Sequence, residues 1–206
     1  NPKHLYDTAQ TFQVKLRVEN DSQCVGEVIK DIVIHPKPTT IISTDSILCS
    51  NDTLLLSSLN QMPSGSIINY SWDFGVIDSI SDTSNLSNPK FHFPKADNYS
   101  LQLITLSDNS CRDTSTKIIT INESPNAKFS SLNNYLNDTT FFINESTINT
   151  GLINSHYWNF GAGDTSIDVN PDHLYKSKGK YITRLCVTSN ALCKSLQSLM
   201  LVTADL

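Results

Sequence analysis

One phrase occurs three times in this 206-residue chain: NPKHLY at Asn1–Tyr6, NPKFHF at Asn88–Phe93 and NPDHLY at Asn170–Tyr175. The echo extends downstream in strict register. Six residues after Tyr6, Phe93 and Tyr175 stand Phe12, Tyr99 and Tyr181, and eighteen residues after them stand Cys24, Cys111 and Cys193. The anchors Tyr6, Phe93 and Tyr175 are 87 and 82 residues apart. A period of that length is too long for a solenoid and suits a string of small domains. Upstream of the last two copies lie NYSWDFG (Asn69–Gly75) and SHYWNFG (Ser155–Gly161), and earlier still Asn51-Asp52-Thr53 and Asn137-Asp138-Thr139. The chain therefore divides as 1–38, the later part of one unit; 39–125, a whole unit; and 126–206, another.

Inside each copy the apolar residues alternate: Phe12, Val14, Leu16, Val18; Tyr99, Leu101, Leu103; Tyr181, Leu185, Val187. Gln13, Lys15 and Arg17, or Ser100 and Gln102, stand between them. Period two with polar partners predicts strands with one face on a core and one in water. No stretch has helical periodicity. A whole unit then reads as an opening strand near residues 39–43 or 127–131 and a strand after Asn-Asp-Thr. The Trp strand follows, then a short strand through the Asn-Pro phrase and a long hairpin. About seven strands in each unit indicates an all-β chain of tandem immunoglobulin-like β-sandwiches. Pro36, Pro38 and Pro125 interrupt the strands at the joints. Joints so short favour a stiff arrangement over loose beads. The part-unit at 1–38 has too few strands to close a sandwich alone.

These motifs resemble those of the PKD (polycystic kidney disease repeat) domain. The matching residues are Trp72-Asp73-Phe74-Gly75 and Trp158-Asn159-Phe160-Gly161; Asn170-Pro171, His173 and Tyr175; and Gly179, Tyr181, Leu185 and Val187. The added cysteine after the long strand resembles the form found in secreted surface proteins of the Bacteroidota. The resemblance implies a PKD-type sandwich in a gliding or adhesin-like giant protein. Such a segment would be extracellular or at the cell surface, structural or adhesive, and not an enzyme. An accessory module that docks a secreted enzyme on substrate or polysaccharide is the alternative. The chain departs from the family's usual Gly-Asp-Gly after Trp-x-Phe, reading Gly75-Val76-Ile77 and Gly161-Ala162-Gly163-Asp164.

Candidate sites follow from the same layout. Trp72, Phe74, Trp158 and Phe160, with Tyr99 and Tyr181, are expected as core rather than as sugar platforms, because aromatic rings dominate core burial. His4 and His173 match Phe91 in the middle copy, which argues for packed rings rather than metal ligands. Asp78, Asp82, Asp164 and Asp168 surround the loop after the Trp strand. They could serve calcium, which accepts flexible oxygen-rich loops, but EF-hand spacing is missing and Asp is ordinary turn chemistry; no cofactor is otherwise indicated. Cysteines that recur with the domain point to an oxidising compartment. Cys49 precedes the Asn-Asp-Thr strand and Cys111 ends the long hairpin, so a Cys49–Cys111 bridge is expected. In the last unit Tyr135 stands at the position of Cys49, and Cys186–Cys193 is expected as its replacement. Cys24 is expected to be unpaired. Thr8, Ser46, Thr53, Ser79 and Thr139 each follow Asp and precede an apolar residue or Thr, which resembles the O-glycosylation signal of Bacteroidota secreted proteins.

Composition excludes several classes. Charged residues are 17% of the chain, the net charge is −5, and no basic block is present, so nucleic-acid binding lacks its electrostatic term. No apolar run is long enough for a membrane-spanning helix. Gly-x-Ser-x-Gly, His-Glu-x-x-His and a phosphate loop are all missing. The expected partners are neighbouring domains of the same long chain, other copies in self-assembly, or a cell-surface or glycan ligand.

Overall fold

The computed structural model describes residues 2–77, 79–161 and 163–203. Its regular structure is entirely strand among these residues, as the alternation predicts. Two compact units are present.

The second unit comprises residues 44–55, 90–99 and 118–206, and holds a complete sandwich. One layer is the three-stranded sheet β11-β12-β15 (Phe129–Leu132, Thr139–Asn144, Asp172–Leu174). The other is the four-stranded sheet β14-β13-β16-β17 (Thr165–Ser166, Ile153–Asn159, Gly179–Ser189, Lys194–Thr203). All pairings are antiparallel. Alternation along β16 turns Leu185 and Val187 inward, where they meet Trp158, Phe160, Phe129, Phe142, Tyr175 and Leu201. Each inward side chain removes about 1.5–3 kcal/mol worth of apolar surface from water. Trp158 touches Phe129 edge-on at 5.1 Å and Phe142 at 5.5 Å between ring centroids, within the favourable range for aromatic pairs. The same unit contains the short pair β4 (Leu54–Leu55) and β8 (Lys90–Phe91).

The first unit comprises residues 1–43, 56–89 and 100–117. Its four-stranded sheet has the order β10-β9-β6-β7, from Arg112–Thr120, Asn98–Ser107, Ile67–Asp73 and Thr83–Ser84, the two long strands continuing beyond the unit. This is the order of β17-β16-β13-β14 strand for strand. The likeness extends to a register irregularity at the start of each Trp strand, between Ile67 and Asn69 and between Ile153 and Ser155. The unit also contains the short pair β3 (Ile42–Ser43) with β5 (Ser57–Ser58) and the hairpin β1-β2 (Thr11–Glu19, Val25–Val33). In that hairpin Phe12 pairs with Ile32 and Leu16 with Val28, and nearly every residue is exposed.

The three echoes of the opening phrase are one structure. His4 meets Tyr6 edge-on at 4.5 Å, Phe91 meets Phe93 at 4.8 Å, and His173 meets Tyr175 at 4.5 Å. Each of those residues then tilts against the first aromatic of the long strand, at 4.4 Å for Tyr6–Phe12, 4.6 Å for Phe93–Tyr99 and 4.4 Å for Tyr175–Tyr181.

The cysteine pairing differs from the expectation. Cys49 is bonded to Cys193, 144 residues away, while Cys24, Cys111 and Cys186 are free. The expected Cys186–Cys193 bridge fails on geometry. Cys193 lies opposite Ser189, whose amide donates to its carbonyl at 2.8 Å. Cys186 is three residues further along β16, roughly 10 Å away, beyond the reach of about 7 Å between Cα atoms. Its side chain also leaves by the other face of the strand, since Leu185 and Val187 point inward. The expected Cys49–Cys111 bridge fails because the two mark opposite ends of one strand. Cys49 bridges Asn122, just past the end of β10, whereas Cys111 directly precedes its start. The nine residues between span roughly 30 Å.

Candidate functional site

The chemistry-bearing residues gather in two places: the loop after each Trp strand, and the clasp around Cys49 and Cys193.

Trp72 is 1% exposed and Trp158 is fully buried, which leaves neither ring as a platform for sugar. Each indole N–H still needs a partner, and a loop carbonyl accepts it at 2.9 Å, Leu86 O for Trp72 and Asp168 O for Trp158. Phe74 and Phe160 are buried two positions on. Gly75 and Gly161 follow with φ of 72° and 79°. A Cβ on Gly75 would stand 2.6 Å from Ser100 O, and one on Gly161 2.8 Å from the Ile182 backbone. Glycine is therefore required twice over, by conformation and by close approach. Asp73 and Asn159 receive the amides of Gly75 and Gly161 at 2.8 and 2.9 Å, an Asx turn that either residue type can make.

Three of the four calcium-candidate aspartates lie among the described residues. Asp82 is buried; its carboxylate accepts the Val76 amide at 2.8 Å and its carbonyl accepts the Phe74 amide at 2.9 Å. Asp164 is its counterpart, accepting the Phe160 amide at 3.2 Å with a side chain 75% exposed. Asp168 accepts from the Ser166 hydroxyl at 2.9 Å. Asp78 lies outside the described residues. Among the described residues no three His, Cys, Asp or Glu side chains converge as a metal cage.

A cavity of about 310 Å³ opens beside this loop, lined by Asp164, His173, Tyr175, Lys176, Ser177 and Tyr181. His173 stacks on Phe160 at 4.5 Å, and its Nδ1 is 3.9 Å from Asp164. Its side chain is 9% exposed, and Nε2 is buried without a hydrogen-bond partner. Burial pushes the imidazole below its ordinary pKa, and the Asp164 and Asp172 carboxylates oppose this only in part. The Tyr175 hydroxyl is buried between Phe160 O and Thr183 Oγ1, each at 3.1 Å, and burial pushes its pKa up. Tyr99 and Tyr181 donate to carbonyls four residues upstream, Lys95 O at 3.0 Å and Ser177 O at 2.9 Å.

The clasp lies wholly within the second unit. Cys49 and Cys193 are both buried. Cys49 makes an isolated parallel bridge with Asn122. Asn122 donates its amide to Leu48 O at 2.8 Å and accepts the Ser50 amide at 2.9 Å, and its side-chain amide adds a third bond to Leu48 O at 3.2 Å. Ser50 and Ser124 exchange further bonds: the Ser124 amide donates to Ser50 Oγ, and the Asn51 amide to Ser124 Oγ. Cys193 is presented by a tight loop at the tip of β16-β17. Its amide donates to Ser189 Oγ at 3.2 Å, and Leu192 before it takes φ of 65°. Cys111 and Cys24 have the same presentation. Their amides donate to Ser107 Oγ and Asn20 Oδ1, and the residues before them, Ser110 and Gln23, take φ of 61° and 63°.

Sequence reasoning missed the polar hangers of the opening strands. The Thr40 amide donates to Asp113 Oδ2 at 2.8 Å, and the Ala127 amide to Ser195 Oγ at 3.2 Å. Asp113 and Ser195 both stand two residues after the hairpin cysteine, but the residue type differs, so the repeat alignment carries no signal. Of the O-glycosylation candidates, Thr8, Ser46 and Thr53 are exposed, while Ser79 and Thr139 are half-buried.

The PKD domain family matches residues 122–202. Collagenase ColA of Bacillus cereus is 49% identical over 37 residues, which are 18% of this chain and 4% of that protein. Among solved structures, the PKD1 domain of the Vibrio cholerae metalloprotease PrtV is 28% identical with a TM-score of 0.38, covering 40% of this chain and 99% of that domain. The PKD1 domain of Vibrio anguillarum Epp is 17% identical with a TM-score of 0.37, covering 42% and 95%. The segment that matches the PKD family, residues 122–202, is the one that carries Trp158-Asn159-Phe160-Gly161 and the core between the two facing sheets.

Proposed function

We propose that this chain is a structural and adhesive segment of a long extracellular or cell-surface protein of the Bacteroidota type, a filament, stalk or adhesin. It is built of tandem PKD-like domains: the later part of one at 1–38, a whole one at 39–125 and another at 126–206. It has no catalytic role, and its partners are neighbouring domains, other copies of the filament, or a surface glycan. O-linked sugars at Thr8, Ser46, Thr53, Ser79 and Thr139 would belong to the same setting. Calcium remains a secondary proposal, near Asp78 and Asp82 or near Asp164 and Asp168.

The observation that carries this reading is the placement of the disulfide. It joins two copies of the repeat to each other instead of closing one of them, which serves an array more than a lone binding module. A second reading has its own support in the short stretch of identity with a collagenase, where the chain would dock an enzyme on its substrate. Passing the purified chain over immobilised collagen and a polysaccharide panel tests the choice. The first reading expects no saturable binding to collagen. Saturable binding to collagen would replace it by the second, whereas binding confined to one polysaccharide would identify the surface-glycan partner of the first.

A further inference from the structure

From the covalent topology, we propose that the Cys49–Cys193 disulfide is a load bypass that makes most of this segment inextensible. The bond closes a loop of 144 residues. Both Trp strands, β6 and β13, lie inside that loop, as do both strands of the β9-β10 hairpin. Tension applied at the two ends of the chain passes along residues up to Cys49, crosses the S–S bond, and continues from Cys193. The peptide between never carries it. Losing the structure of those residues then adds no length, because their two ends are pinned with Cα atoms 5.7 Å apart. At roughly 3.5 Å per extended residue the withheld length is about 500 Å.

The surroundings of the bond suit this use. Both cysteines are buried, so a reductant reaches them only after local opening. The Leu48–Asn51 segment is tied to Asn122 and Ser124 by the backbone and side-chain bonds described above, and the Cys193 Sγ lies 3.9 Å from Asn122 O. The pairing of Cys49 with Asn122 places several hydrogen bonds beside the covalent link, which keep the two cysteines buried. The hairpin loop holds Cys193 ready, with a positive φ at Leu192 that a bulky residue adopts only under constraint.

The bypass refines the structural reading above and rests on it for its purpose, though not for its topology. Its test is single-molecule stretching of the full chain, tethered by its ends, before and after reduction with a phosphine. The oxidised chain is expected to stop about 500 Å short of the reduced chain at full extension. Cys49→Ser and Cys193→Ser should each reach the reduced length without any reductant. Peptide mapping under non-reducing conditions supplies a readout independent of folding, and is expected to recover the Cys49 and Cys193 peptides joined. Equal lengths before and after reduction would overturn the proposal. So would a difference of only about 220 Å, the length of the Cys49-to-Cys111 interval at the same rise per residue. Failure of the structural reading looks different. Sandwiches that unfold at forces no greater than those separating the β1-β2 hairpin would count against load bearing, with the length difference intact.

Discussion

Gly161 meets two separate constraints, a left-handed backbone and the Ile182 backbone 2.8 Å from where a Cβ would stand. Gly163 has φ of 98° but nothing within 4 Å of a Cβ. Gly161→Ala should therefore cost more than Gly163→Ala, by roughly 1–3 kcal/mol in urea unfolding. Equal midpoints would show that the close approach is relieved by small shifts. His173 offers a second residue-scale test. Its imidazole is held below the ordinary value by burial, so the neutral ring is favoured in the folded chain. The associated stability is present above the unfolded pKa of about 6.5 and is lost as pH falls through the lower folded value. The middle copy places Phe91 at this position, and His173→Phe removes both the charge and the orphan Nε2. The variant is expected to lose less Tm than the parent between about pH 7 and pH 5. The packed aromatics at Trp72, Trp158, Tyr99 and Tyr181 were legible in the sequence, since alternation sets which face each takes. The orphan Nε2 was not, because it depends on what surrounds the ring.

At the scale of elements, each opening strand hangs from a side chain on the last strand of its own copy. The middle-copy hanger is charged. Partial burial pushes the Asp113 carboxyl up, but Lys37 at 2.6 Å and the Thr40 amide and hydroxyl more than offset this and leave it below its ordinary value. A carboxyl with a lowered folded pKa stabilises fully above its unfolded value, and the stabilisation disappears as pH falls through the folded one. Residues 37–43 should therefore lose hydrogen-exchange protection, measured against the intrinsic rate at each pH, on acidification below about pH 4, and the Ser195-hung strand at 127–132 should not. Asp113→Asn would abolish the difference. The hairpin tips make a parallel case. Cys24 is exposed and Cys111 and Cys186 are half-buried, so a maleimide should label Cys24 first and Cys49 and Cys193 only after reduction. Hairpins, tips and the Trp strands were all visible as repeats. The hangers were not, because Asp113 and Ser195 do the same work with different chemistry.

Across the whole molecule, a loop of 144 residues is large, and the chain-entropy model assigns its closure about 5 kcal/mol. Reduction should lower the unfolding midpoint of the second unit, while the Cys111→Ser variant leaves it unchanged; calorimetry with and without a phosphine measures both. The all-strand character of the chain and the inward face of Trp72 and Trp158 were determined by the sequence alone. Alternation and turn chemistry act over a few residues, and repetition confirms them. Tertiary structure alone decided which cysteines meet. Cys49, Cys111, Cys186 and Cys193 all fit plausible partners by position in the repeat. Bonding instead requires Cα atoms within about 7 Å, and strand length separates Cys49 from Cys111 and Cys186 from Cys193. Only the fold brings residues 48–51, Asn122 and the β16-β17 tip to one place, and with them the covalent path that load would follow.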